Sequence, residues 1–221
     1  MATTSTARRI PPLVSDAEAK RPAFGGGEPP APPVRPNVQI GSNAWVAVIV
    51  FLGAEAMFFA GLIGAYIVFR VSAPLWPPIF QPRLPTGVTG INTIILLASA
   101  VTMRLSLKAL RANERKKMIR LLGYTAMLGG IFLTIQGFEW VRLIHFGLTV
   151  SSSVYGGLFY TIIGFHGLHV FGALIWVLSV FTMAKAGRFS QESHVGLQTC
   201  AVFWSFVVGL WPLLYGLVYL V

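Results

Sequence analysis

The sequence predicts an all-α integral membrane protein with five transmembrane helices, and three observations lead there. Hydrophobic residues make up 55% of the 221 and charged residues only 11%, so the apolar share exceeds that of a soluble domain and the charged share falls below it. Five apolar runs, at 43–69, 88–110, 119–146, 155–184 and 195–221, are each long enough to cross a hydrocarbon layer. Breaker and turn residues fill the joints: five prolines between Pro74 and Pro85, the charged stretch Asn113-Glu-Arg-Lys-Lys117, the run Leu148-Thr-Val-Ser-Ser-Ser153, and 187–193.

Ahead of the first run, residues 1–40 hold eight of the fourteen prolines and three consecutive glycines. Such a composition cannot bury enough apolar surface to fold alone, so 1–40 is expected to be a disordered tail and 41–221 the membrane domain. The tail lacks the apolar core of a secretory signal, so no cleavage is expected.

An odd number of spans puts the two ends on opposite sides. One side then carries five Lys and Arg in the tail, seven from Arg104 to Arg120, and Lys185 with Arg188. The other side carries only Arg70, Arg83 and Arg142. The positive-inside rule therefore predicts a cytoplasmic N-terminus and an outer C-terminus. The net charge of +10 has its use in those joints, as anchors on anionic lipid, and argues against nucleic-acid binding. Cys200 is the sole cysteine, which excludes an internal disulfide framework, and it reads as a small buried hydrophobe.

Polar groups inside the spans carry the functional question. Glu55 lies halfway along the first run, where a carboxylate is costly unless protonated, paired or wetted. Phe58, Phe59, Leu62 and Tyr66 share its helical face, and Ala60 with Gly64 and Gly61 with Ala65 are small pairs suited to a close helix. Relaying protons, contacting lipid, bracing an interface and serving as a neutral hydrogen-bonded acid are all open for Glu55. Gln136, Glu139 and Arg142 recur at intervals of three on the third run, with Glu139 and Arg142 placed to pair. His145 reads as a polar group at the membrane edge.

His166 and His169 share a face of the fourth run. A zinc site needs three or four ligands and a di-carboxylate site needs Glu-x-x-His on two helices, which this chain lacks. Bis-histidine haem needs a facing histidine helix, whereas His145 and His194 lie at opposite membrane edges. The two histidines are therefore expected to hydrogen-bond to another helix or to Glu55, or to contact a lipid head group, with no metal held by this chain. On the last run, Trp204, Trp211 and Tyr215 read as packing and Tyr219 as an interfacial anchor.

Taken in order, these stretches resemble subunit III of the haem-copper oxidases in its five-helix bacterial form. Gly53-Ala-Glu-Ala-Met-Phe-Phe-Ala-Gly61 is similar to the family's S/G-E-x-M-F-F-A-G, and Trp76-Pro77-Pro78 to the loop that follows. Asn92-Thr93 with Leu96, Leu97 and Ser99 resembles N-T-x-x-L-L-x-S, and Gln136-x-x-Glu139 resembles Q-x-x-E. Gly164-Phe-His-Gly-Leu-His-Val170 is similar to G-F-H-G-x-H-V and is the strongest element. The last run departs from the family: Gln198, Ser205 and Val208 stand where it usually has Glu, His and Asp.

The resemblance implies a fold with spans one and two facing spans three to five across a lipid-filled cleft. It implies a non-catalytic accessory subunit of a terminal oxidase in a bacterial inner membrane, packed on catalytic subunit I and on subunit II. Haem and copper are then expected in the catalytic partner, and phospholipids on this chain. Glu55 matches the family's buried carboxylate, with Glu139, His166 and His169 in the polar lining beside Gln136, Arg142 and Asn92. Supporting proton uptake, holding lipid and protecting turnover are the roles implied. Three other readings compete: a companion subunit of a nitric oxide reductase, a small proton-coupled transporter built on Glu55, and a b-type cytochrome. The transporter is disfavoured by the lack of an internal repeat, and the cytochrome by the histidine positions.

Overall fold

The structure is a computed structural model and describes residues 40–78, 84–189 and 195–220. The expected tail, Arg83 and His194 lie outside the described residues. The described chain forms α1 (Ile40–Ser72), α2 (Thr86–Arg111), α3 (Arg115–His145), α4 (Val154–Lys185) and α5 (Val195–Tyr215), the last continuing as a π-helical turn over Gly216–Leu220. All five helices are long and apolar enough to cross a membrane. They extend the expected runs by one to four residues at most ends, because the joints are tight caps. Asn113, Gly147 and Gly187 take φ values of 58°, 89° and 76°. At each of them the next residue's N–H reaches back five positions, as Leu148 does to the Leu143 carbonyl at 3.0 Å, which closes the helix in a Schellman turn. α4 opens on an N-cap, with Ser153 Oγ accepting from the Gly156 N–H at 3.1 Å.

The helices do not divide as the resemblance implied. α2 packs along α3 and against α5, while α1 packs against α5 and α4. The grouping of spans one and two against three to five is therefore corrected. The reason lies in the buried face of α2, which carries Thr89, Asn92, Thr93, Ser99 and Ser106. Hydrogen-bonding groups in an apolar bundle need partners, and α3 and α5 supply them. Asn92 Nδ2 donates to the Phe132 carbonyl at 3.1 Å, and Thr102 shares a hydrogen bond with Thr125 at 2.8 Å. Trp204 Nε1 donates to Ser99 Oγ at 3.1 Å and Trp211 Nε1 to Thr93 Oγ1 at 2.8 Å. α1 has no such row and is apolar on nearly every side.

Close helix contact falls at glycines other than those expected. A Cβ at Gly129 would sit 2.6 Å from the Trp204 ring, and one at Gly167 would sit 2.8 Å from the Trp140 ring. Gly61 and Gly64 on α1 have nothing within 4 Å of that position. Among the described residues, no helix of this chain seats against Gly61 or Gly64 of those small pairs.

Candidate functional site

The middle of the bundle is built where α1, α4 and α5 meet. Glu55 on α1 comes to α4, where its Oε2 lies 2.7 Å from His169 Nε2. The side chains are only 15% and 17% exposed, so the pair is largely withdrawn from the surroundings. The separation is that of an ion pair, but Glu55 Oε2 does not lie in line for a hydrogen bond. The contact is one of close approach. His169 Nδ1 is 2.6 Å from the Phe165 carbonyl one turn earlier, which orients the ring. Phe59 stands edge-on to both imidazoles, its centroid 5.2 Å from that of His169 and 6.4 Å from that of His166. Phe58 closes the outer side by meeting Phe165 at 5.1 Å. Of the stripe of Glu55, Phe58, Phe59, Leu62 and Tyr66 expected on one helical face, Glu55, Phe58 and Phe59 meet α4 here, while Tyr66 meets Trp76 of the following loop.

His166 is placed differently. It is 1% exposed, and its ring stacks on Trp211 of α5 at 4.9 Å with 24° between the planes. Neither of its ring nitrogens has a hydrogen-bond partner among the described residues. Two histidines on one face of α4 therefore occupy two environments, one against a carboxylate and one against an indole.

Gln136 and Glu139 form a second buried group towards one end of the bundle. Gln136 Nε2 donates to Tyr219 Oη at 3.2 Å, tying α3 to the end of α5. Glu139 is 5% exposed, and its Oε1 reaches Arg142 Nη1 only at 3.9 Å. Arg142 is 55% exposed, so the pair is loose and its cation faces outward. Tyr219 was expected at the interface; it is 7% exposed and acts as the hydrogen-bond partner of Gln136 instead. Asn92 lies apart from both groups and holds α2 to α3. His145 is exposed at the end of α3. Trp211 and Tyr219 are the residues that sequence reasoning missed. In the sequence they read only as packing and as an interfacial anchor, and nothing linked Gln136 to a residue 83 positions away.

In the last helix, Gln198 and Ser205 are half-buried and Val208 is buried. Val208 lies one turn before Trp211, the indole that stacks on His166. Among the described residues no three His, Cys, Asp or Glu side chains come together as a metal would require.

Five spanning helices around an acid–imidazole pair define the class: a multi-pass helical membrane protein with ionisable groups held inside the bundle. The family model described as cytochrome c oxidase subunit III matches residues 35–221. The chain is 37% identical over 174 residues to cytochrome c oxidase subunit 3 of Synechocystis sp., covering 78% of this chain and 73% of that protein. It is 34% identical over 178 residues to the probable cytochrome c oxidase subunit 3 of Nocardia farcinica, covering 80% and 87%. The subunit of Thermostichus vulcanus is 30% identical over 176 residues, covering 79% and 86%. The chain belongs to the cytochrome c oxidase subunit III family. It is an accessory, non-catalytic subunit of a haem-copper oxidase, an oxidoreductase complex.

Proposed function

We propose that this chain packs on the catalytic subunit I and on subunit II of a bacterial terminal oxidase fed by cytochrome c, supports its proton uptake and holds phospholipid. Haem and copper belong to the catalytic partner. The N-terminus is cytoplasmic and the C-terminus outside, in the bacterial inner membrane. Residues 1–40 are the tail and 41–221 the membrane domain. The observation that carries this reading is the contact of Glu55 with His169, inside a chain whose family match runs from residue 35 to the last residue.

The physics of that pair suits a supporting role in proton handling. A carboxylate within the hydrocarbon depth is held more easily when a titratable group lies against it. The 2.7 Å approach sets an acid and an imidazole, two groups able to carry a proton, side by side within the bundle. Phe58 and Phe59 limit access to it from the sides. Glu139, Gln136, His166, Asn92 and Arg142 are the other polar groups of the helices, and Gln136 and Asn92 tie helices together elsewhere in the bundle. A nitric oxide reductase companion and an independent transporter have no separate observation in their favour.

The test is a mild-detergent pull-down of the tagged full chain, with visible spectra and mass spectrometry of what accompanies it. We expect haem and copper together with a large polytopic partner, oxidising reduced cytochrome c. A colourless chain that stays alone under gentle solubilisation overturns the subunit reading.

A further inference from the structure

A second polar group lies buried beside the end of α5, and the pairing of α2 with α3 puts it there. The two helices run antiparallel, with Thr102 meeting Thr125 and Asn92 meeting the Phe132 carbonyl. One turn further, the same register brings Thr89 of α2 level with Gln136 of α3. Glu139 stands one turn beyond Gln136 on the same face. Tyr219 enters from the turn after α5, and its hydroxyl accepts from Gln136 Nε2 at 3.2 Å. Thr89 and Glu139 both act on that hydroxyl. Thr89, Gln136, Glu139 and Tyr219 are 1%, 4%, 5% and 7% exposed.

Two oxygens of this group are left over. Thr89 Oγ1 and Glu139 Oε2 are buried without a hydrogen-bond partner among the described residues. Arg142 does not serve Oε2, since it reaches the other carboxylate oxygen, and that only at 3.9 Å. Buried polar atoms are almost always paired, and a lone carboxylate oxygen inside a membrane bundle is costly. A carboxylate oxygen, a hydroxyl free to turn and a phenol supply the two to four polar partners that a buried water needs.

A way in for water lies at the same end of the bundle, in a cavity of about 310 Å³. A water takes about 30 Å³ of the liquid, so the space is ample for several. The cavity wall holds Tyr66, Tyr155 and Tyr219, with Thr86 one turn before Thr89. Tyr66 acts on Tyr155 and Tyr155 on Tyr219, so the phenols follow one another towards Glu139. Trp76 Nε1 donates to Tyr66 Oη at 3.3 Å and fixes the first of them. Neither Glu55 nor His169 lines this cavity.

We propose that water fills the cavity and continues past Tyr219 as an ordered molecule bridging Glu139 Oε2 and Thr89 Oγ1. Glu139 is thereby a wet carboxylate, in exchange with the solvent at this end of the bundle although its side chain is buried. The inference stands on the packing of α2, α3 and α5 and does not depend on the role proposed for Glu55 and His169.

The test is electron cryo-microscopy of the purified complex at a resolution that shows ordered water, together with hydroxyl-radical labelling read by mass spectrometry. A density peak about 2.7–3.2 Å from both Glu139 Oε2 and Thr89 Oγ1 is expected. Radicals form from water, so Tyr219 should be labelled several-fold faster than Trp204, which is 0% exposed and bonded to Ser99. Thr89→Val keeps the shape but removes the hydroxyl, and should lose the peak and slow the labelling of Tyr219. Glu139→Gln keeps an acceptor and should retain the peak. The inference is overturned by the absence of the peak, by a direct hydrogen bond between Thr89 and Glu139, or by a peak that persists unmoved in Thr89→Val. It is also overturned by a peak crowded by more than about four oxygens, which marks a metal cation, or by Tyr219 labelling no faster than Trp204. All of these leave the subunit assignment standing. That assignment falls only if the wild-type chain brings no haem partner, and labelling of the purified full chain then still decides the inference.

Discussion

His169 and Glu55 do not contribute equally to their own contact. Removing the imidazole leaves a carboxylate largely buried without a partner, whereas Glu55→Gln leaves a neutral amide. His169→Ala is therefore expected to lower stability by about 2 kcal/mol and Glu55→Gln by about half that. The double variant should lose less than the sum, since the second change no longer breaks a contact. Thermal unfolding of the purified protein in detergent checks all three, and strict additivity would show that the two side chains do not interact. His166 gives the opposite expectation. Its ring nitrogens have no partner, so His166→Phe loses no hydrogen bond and keeps the stack on Trp211. It should change stability by less than about 1 kcal/mol. Trp211→Leu breaks both that stack and the hydrogen bond to Thr93, and should cost about 3 kcal/mol.

At the scale of the helices, contact distances decide which glycines matter. Gly129→Ala forces its methyl against the Trp204 ring, which is buried and held by Ser99, so the ring cannot step aside freely. A loss of roughly 1–3 kcal/mol is expected, the usual penalty for overpacking. Gly61→Ala meets nothing within 4 Å and should be neutral or stabilising by up to about 1 kcal/mol in the isolated chain. Unfolding of the two variants side by side checks the contrast; equal effects would mean that the packing of α3 on α5 is wrong. The small pairs of α1 were legible in the sequence as surfaces for a close helix, yet the helices that approach closely do so elsewhere. A small-residue spacing marks where a backbone is accessible. It carries no information about which helix arrives.

For the whole molecule, orientation follows from the cations. A cysteine at Lys117, in an otherwise cysteine-free chain, should react with a membrane-impermeant maleimide only from the cytoplasmic side, and one at Thr149 only from outside. The reverse pattern would overturn the proposed topology. Cys200 is 1% exposed, so its replacement by Ala or Ser to make that background is the step to check first for stability.

Class, helix number and approximate ends were readable along the chain, because spanning a membrane imposes length and hydrophobicity on each helix separately. The candidate groups were readable for a related reason. An ionisable residue stands out against an apolar run, so Glu55, Glu139, His166 and His169 were visible before any fold existed. What tertiary structure alone decided was partnership. The hydroxyls of α2 are matched by the indoles of α5, which draws α2 away from α1 and removes the expected two-against-three division. His169 receives Glu55 while His166, three residues away, receives Trp211, since adjacent positions on one helical face look towards different neighbours. Tyr219 turns inward to Gln136 although its place near the chain end suggested an interface. Each of these pairings joins residues far apart in sequence, and the local rules of span length and hydropathy are indifferent to them.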